Sequence, residues 1–266
     1  MHRVNTMHDR VNFSRLFSQD ICSTKTEQHE HSIRKKKAIV VGGSSGIGLA
    51  TAQILANSKA IVTVTGRDPN KLKQVQSTGI QTQAVDSADR AALDAFFKQT
   101  GPIDHLVITV SGGKGMGNFA ELSLQDLREG FEGKFWPQLN TLQAALPYLK
   151  STGSITLVTA ISSIAKKPGT SGLTAINGSL ELMVPVLAKE LQPIRINAVS
   201  PGVVDTPWWN FVPEEAKQDT FKQFTGNIPA GRAATATEIA EAIVFTLSNN
   251  YMTGSVIHCD GGFSLM

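Results

Sequence analysis

From residue 38 onward, short apolar runs alternate with stretches of helical periodicity. Ala38 to Val41 is a brief apolar run suited to a buried strand. Gly46 to Asn57 follows, with Ile47, Ala50, Ile54 and Leu55 on one helical face. Ala60 to Thr65 is rich in β-branched residues and predicts a second strand. Pro69 suits the first turn of a helix that reaches Gln76. Gln81 to Val85 predicts a third strand, Ser87 the cap of a helix over Ala88 to Gln99, and His105 to Val110 a fourth strand. A long helical region spans Leu124 to Lys150, interrupted by Pro137 and Pro147. Ile155 to Thr159 and Ile194 to Val199 predict two more strands, with a helix over Gly172 to Leu191 between them. Asp205 to Gly231 is a long connection carrying Trp208, Trp209, Phe211, Phe221 and Phe224. Thr235 and Glu238 have capping-box spacing for a helix through Leu247, and Ser255 to His258 completes the series.

Such alternation predicts an α/β fold, a single-domain Rossmann-type doubly wound parallel sheet flanked by helices. In these sheets ligands sit beyond the carboxyl ends of the strands. The sequence places distinctive residues there: Gly42-Gly43-Ser44-Ser45-Gly46-Ile47-Gly48, then Arg67, Asp86 and Ser111-Gly112-Gly113. A glycine-rich turn between strand and helix lets the backbone approach a pyrophosphate, and the helix-start N–H groups hold the anion. Ordinary strand-to-helix turns also use Gly and Ser, so the agreement of all these strand ends carries the reading.

Composition narrows the class. With 25 basic and 22 acidic residues the net charge is +3, which gives no footprint for nucleic acid. The run Arg34-Lys35-Lys36-Lys37 reads as a solvated strand start. Cys22 and Cys259 have neither metal-ligand nor disulfide spacing, which suits a reducing compartment, and no metal is expected. No segment reads as a membrane span or a secretory leader, so a cytoplasmic location is expected. Residues 1–34 read as an N-terminal arm without a core of its own, expected to be disordered, with Met7 a second possible start. Residues 35–266 form the expected domain.

These pieces, in this order, resemble the short-chain dehydrogenase/reductase family over nearly everything from Lys37 onward. The family's T-G-x-x-x-G-x-G is matched from Val41 to Gly48, with Val in the Thr position. Asn197 to Thr206 resembles its N-x-x-x-P-G-x-x-x-T segment, and Thr253 to Gly262 its terminal T-G-x-x-x-x-x-D-G-G. The resemblance implies a nicotinamide dinucleotide held by Gly42, Ser44, Ser45, Gly46, Ile47 and Gly48. Asp86, Ser87, Ser111, Gly112 and Asn177 follow, with Pro201, Gly202, Val204 and Thr206 around the nicotinamide half. Where an acid would meet a free ribose 2′-OH, the second strand ends Thr65-Gly66-Arg67, which favours NADP(H). Against this, Asp68 offers Arg67 a local ion pair.

The family's catalytic serine, tyrosine, lysine and asparagine fall, by register, on Ala160, Leu173, Asn177 and Lys134. All four positions have changed. Tyr148 and Tyr251 lie in a helix end and a late loop and replace none of them. Lys134 and Ser162 are the candidate catalytic residues: an ammonium proton donor and a hydroxyl for the substrate oxygen. The commoner fate of such a lysine is a solvated or glutamate-paired helix position, here near Glu129 and Glu132. Ser163 beside Ser162 could serve the same oxygen, and Thr174 and Ser171 are weaker candidates, while Trp208, Trp209 and Phe211 line an apolar pocket, pin a lid or face a neighbouring subunit. Two functions follow. One is an NADP(H)-dependent oxidoreductase with altered proton delivery, acting on a small carbonyl, imine or activated alkene. The other is a catalytically inactive pseudo-dehydrogenase that senses NADP(H) or scaffolds. The long helices resemble those through which the family forms oligomers, so a homodimer or homotetramer is expected, although their Leu139, Leu142, Leu180, Leu182 and Met183 read equally as internal core.

Overall fold

Residues 32–266 are described by the structure, a computed structural model. Its centre is β1 (Lys37–Val41), whose residues beyond Lys37 are wholly buried. Alternate side chains enter two different cores: Ile39 and Val41 on one face, Ala38 and Val40 on the other. A strand buried on both faces explains an apolar run without a polar partner face. Around it lie β2 (Ile61–Gly66), β3 (Gln81–Ala84), β4 (Ile103–Ile108), β5 (Leu149–Val158), β6 (Arg195–Pro201) and, late in the chain, β9 (Val256–Cys259). All pair in parallel in the order β3-β2-β1-β4-β5-β6-β9. The winding reverses between β1 and β4, which opens a crevice at their carboxyl ends.

Helices cover both faces. α1 (Gly46–Asn57) and α8 (Ala236–Ser248) pack together on one, burying Ala52, Leu55, Ile239, Ile243 and Leu247. α3 (Arg90–Thr100), α5 (Trp136–Ala145) and α6 (Ser171–Glu190) cover the other with Phe96, Phe97, Leu142, Val184 and Ala188. α2 (Pro69–Gln76) begins on Pro69 as its fixed φ favours, and the Thr235–Glu238 capping box of α8 is formed in both directions. Ile33, only 1% exposed, belongs to the α1/α8 core. The domain therefore takes in chain assigned to the arm, whose residues 1–31, with Met7 and Cys22, lie outside the described residues.

Several sequence expectations change. Asp89, not Ser87, caps α3 by accepting the Ala92 N–H at 3.0 Å. Leu124 to Lys150 is not one interrupted helix. It runs as α4 (Leu124–Gly130), a π-helical turn (Phe131–Phe135), α5 and a 3₁₀ turn (Leu146–Tyr148), and β5 already starts at Leu149. Pro137 has no N–H to return to the preceding turn, and the hydrogen-bond register changes just before it. The connection after β6 holds a short strand β7 (Val204–Asp205) paired with β8 (Ala234–Thr235), and a helix, α7 (Glu214–Thr225). Only Phe221 and Thr225 of α7 are buried, so its periodicity was faint, although Glu214 and Glu215 after Pro213 mark a helix start. Among the described residues one segment, α6, is long and apolar enough to cross a membrane by composition, contrary to expectation; here its inner face lies on β6.

The basic run before β1 is a structural anchor. Asp104, buried at the start of β4, accepts the Lys37 N–H at 2.9 Å and the Lys150 ammonium at 2.9 Å, with Lys36 at 3.6 Å. Lys37 Nζ donates to Thr100 O. Burial pushes the Asp104 carboxyl up, but Lys37, Lys150 and Lys36 together hold it below the ordinary carboxylate value. Its stabilisation is present above the unfolded pKa and is lost as pH falls through the lowered folded one. Asp104→Ala is expected to cost about 1–3 kcal/mol in urea unfolding at neutral pH, leaving the Lys37 N–H and two ammonium groups unpaired. An unchanged midpoint would contradict that account.

Candidate active site

At the carboxyl end of β1 the chain turns through Gly42, with φ +82°, into α1. The N–H groups of Gly42 and Gly43 both donate to Thr65 O, at 3.0 and 3.2 Å, tying the turn to β2. A Cβ on Gly48 would lie 2.5 Å from Thr109 Oγ1 and 2.7 Å from Gly42 O, so the start of α1 touches the ends of β1 and β4 without room for a side chain. Ser45 is the N-cap of α1, yet its hydroxyl makes no capping bond. The first-turn N–H groups of α1 are therefore not spent on that side chain, and Gly46, Ile47 and Gly48 line the adjoining cleft.

That cleft has a volume of about 550 Å³ and runs across the strand ends. Every residue expected to hold the dinucleotide lines it: Gly42, Ser44, Ser45, Gly46, Ile47, Gly48, Arg67, Asp86, Ser87, Ser111, Gly112, Asn177, Pro201, Gly202, Val204 and Thr206. Lys71, not anticipated, joins them at the Arg67 end. Asp68 does not pair with Arg67. Its carboxylate accepts the N–H groups of Asn70 and Lys71, at 2.9 and 3.3 Å, and so caps α2. Arg67 is exposed and makes no ion pair among the described residues. A Cβ on Gly66 would stand 3.1 Å from Ser44 Oγ, so an acid there would crowd the serine. This end offers a guanidinium, an ammonium and a hydroxyl. Asp86 also lines it, with Oδ1 accepting the Ala88 N–H at 3.0 Å.

At the other end Ala160, Leu173 and Asn177 line the cleft, so the positions that changed are the positions that face it. Asn177 Nδ2 donates to Ser162 Oγ at 3.1 Å and to Leu173 O at 2.9 Å, while its buried Oδ1 has no protein partner. Ser162 accepts from Asn177 and keeps its own hydroxyl proton to donate. Ser163 Oγ is buried without a partner and does not line the cleft; Ser171 and Thr174 line a neighbouring hollow instead. Tyr251 is 99% exposed and Tyr148 stacks on Phe97 in the core, so neither tyrosine reaches the site.

Lys134 lines the cleft, where a candidate proton donor was expected, and departs from its alternative reading as a surface helix lysine. It is not paired with Glu129 or Glu132 but buried, at 7% exposure, as the one inward residue of the π-helical turn. Its Nζ donates to Thr159 O at 3.0 Å, and Thr159 Oγ1 donates to Glu181 Oε1 at 2.6 Å. Burial lowers the Lys134 pKa to about 8, against the opposing pull of the Glu181 carboxylate. The sequence did not single out Thr159 or Glu181. Glu181 was legible in principle, since Asn177, Leu180, Glu181 and Val184 share the buried stripe of α6.

The aromatic group divides between its two readings. Trp208 and Trp209 line the cleft, with indole N–H groups bonded to Gly112 O at 3.1 Å and Val204 O at 3.0 Å. Trp209 also packs edge-on against Phe221 and Phe224 and so fixes α7. Phe211 is exposed and does not line the cleft.

Known proteins share this fold. The family profile described as enoyl-(acyl carrier protein) reductase matches residues 41–264. The 3-oxoacyl-[acyl-carrier-protein] reductase of Rattus norvegicus is 29% identical over 243 residues, covering 86% of this chain and 98% of the rat protein. The chloroplastic NADPH-dependent aldehyde reductase 1 of Arabidopsis thaliana is 26% identical, over 90% of each chain. A small-chain dehydrogenase crystallised in complex with NADPH is 31% identical and superposes with a TM-score of 0.76, over 87% of this chain and 100% of its own. With the glycine turn, the seven-stranded order and a profile spanning nearly the whole domain in agreement, the chain belongs to the short-chain dehydrogenase/reductase family.

Proposed function

We propose that this chain is an NADP(H)-dependent oxidoreductase whose proton donor is Lys134. The glycine turn, with no space for a Cβ at Gly48, suits a pyrophosphate, and the unpartnered Asn177 Oδ1 suits a ribose hydroxyl. Arg67, Lys71 and Ser44 suit a 2′-phosphate, with Gly66 in place of an acid. When bound, NADPH supplies a hydride to a small carbonyl, imine or activated alkene. The chain then has to hold the substrate and deliver a proton without a phenol, because Leu173 and Ala160 provide none.

The observation that carries the reading is the buried Lys134 ammonium beside Thr159. At neutral pH it remains mostly protonated, yet it is a stronger acid than a solvated lysine, and burial favours the neutral amine left after transfer. Ser162, steadied by Asn177, offers its hydroxyl to the substrate oxygen. The test is cofactor-linked: NADPH oxidation followed across a panel of small aldehydes, ketones, cyclic imines and enones. Turnover of at least one class supports the reading.

A pseudo-dehydrogenase is the second reading, favoured by the Asn177 amide being tied back to Ser162 and Leu173 O. NADPH binding without turnover of any panel member would establish it in place of the first. In either case we infer a homodimer or homotetramer. Leu142 and Leu180 are core residues, whereas Leu182, 78% exposed, and Val186 one turn later on α6 form an apolar strip beyond the domain's own packing. Sedimentation at micromolar concentration is expected to show no more than a minor monomer population, and a purely monomeric species would refute this assembly.

A further inference from the structure

The cleft adjoins a second hollow of about 510 Å³, and Lys167, in the loop before α6, lines both. Its ammonium sits 3.8 Å from the ring centroid of Phe224 and 5.8 Å from that of Phe263. Ring faces attract the charge, and among the described residues no side chain or carbonyl accepts from its three N–H donors. Among the described residues no carboxylate pairs with Lys167, and it is half-buried. Partial burial also pushes its pKa below the ordinary lysine value. The carboxylates that line the cleft, Asp86 and Glu132, belong to the end of β3 and to the π-helical turn, and neither bonds to it.

Part of the wall of this cleft is aromatic. Trp208 and Trp209 have spent their indole N–H groups on Gly112 O and Val204 O, so toward a ligand they present ring surface. Phe224 and Phe263 add to that surface beside Lys167. A neutral apolar substrate would use the rings and leave the ammonium without an acceptor. An anionic group would use both.

Building on the oxidoreductase reading, we propose that Lys167 is a specificity residue and that the substrate is an amphipathic organic acid. Its apolar body rests on Trp208 and Phe224, and its carboxylate reaches the Lys167 ammonium. Lys134 is left to the reacting centre.

Calorimetry with 2-naphthoate and its neutral methyl ester, on the full chain with and without NADPH, separates the contributions. Wild type is expected to bind naphthoate about tenfold more tightly than the ester, as a charge-assisted hydrogen bond in a half-buried site allows. Lys167→Gln should abolish that preference and leave the ester within about twofold, and Lys167→Arg should retain it. Equal affinities in wild type, absence of naphthoate binding at millimolar concentration, or a preference that survives Lys167→Gln would overturn the proposal. So would a preference lost only in Lys134→Gln. A parallel fall for both ligands in Lys167→Gln would show that the lysine merely clamps Phe224, and would overturn it too. NADPH titration in the same samples judges the cofactor reading separately, because the naphthoate preference is also measured without NADPH.

Discussion

Lys134→Met is expected to lower NADPH-dependent turnover by roughly 10²-fold or more, the usual contribution of a positioned general acid, with NADPH affinity within about twofold of wild type. The ammonium lines the cleft, donates to Thr159 O at 3.0 Å, and stands where the family resemblance places an asparagine. No tyrosine faces the site, so removing this proton source leaves no titratable donor at the four family catalytic positions, the others being Ala160, Leu173 and Asn177. The pH dependence gives an independent signature. An acid with a pKa near 8 must be protonated to act, so kcat should fall as pH rises through about 8. Stability should move the other way. The folded pKa of about 8 lies below the ordinary 10.5, so between these values the unfolded chain binds more protons and stability rises with pH. Falling activity beside rising stability in one window is hard to obtain from general alkaline damage. Lys134→Met should flatten both trends. A variant with wild-type turnover and an unchanged alkaline limb would remove Lys134 from the chemistry.

The same lysine shows where reading a sequence stops. The sheet was legible because β1, β4 and β6 are buried on both faces, and apolar runs between helical stretches can hardly mean anything else. The cofactor end was legible because its requirements are local: a tight turn, a helix start, and the residues that end β2. Lys134 could be named as a proton-donor candidate from its place in the family register, but its burial was not legible, because its neighbours Glu129 and Glu132 suggest an exposed helix face. What turns it inward is the π-helical turn at Phe131–Phe135, a change of hydrogen-bond register that single-sequence periodicity does not encode. The α3 cap failed for a related reason. Ser87, Asp89 and Asp86 are all competent caps at close spacing, and Asp86 takes the Ala88 N–H while Asp89 takes the Ala92 N–H. The Trp208-Trp209 pair shows a third limit. Adjacent and chemically alike, the two differ in burial because the 3₁₀ turn at Pro207–Trp209 directs Trp209 into the α7 contact.

Arg67→Ala should weaken NADPH binding by about 10- to 100-fold and leave NADH binding nearly unchanged, so that the preference between them largely disappears. Arg67 follows Gly66, the last residue of β2, and Asp68, the one adjacent carboxylate, is committed to the N-terminus of α2. The guanidinium is therefore not neutralised by its neighbour and can take a phosphate in a bidentate way that Lys71, a point charge, cannot reproduce. Because Arg67 is exposed, the contrast should shrink as salt is raised and be clearest at low ionic strength. Gly66→Asp tests the same geometry from the opposite side. Its Cβ would stand 3.1 Å from Ser44 Oγ, and its charge would face the phosphate, so NADPH should lose affinity even with Arg67 intact. Fluorescence titration of both nucleotides against wild type and the two variants decides the matter. Equal NADPH and NADH affinities in the wild type would mean that Arg67 is only a solvated strand end.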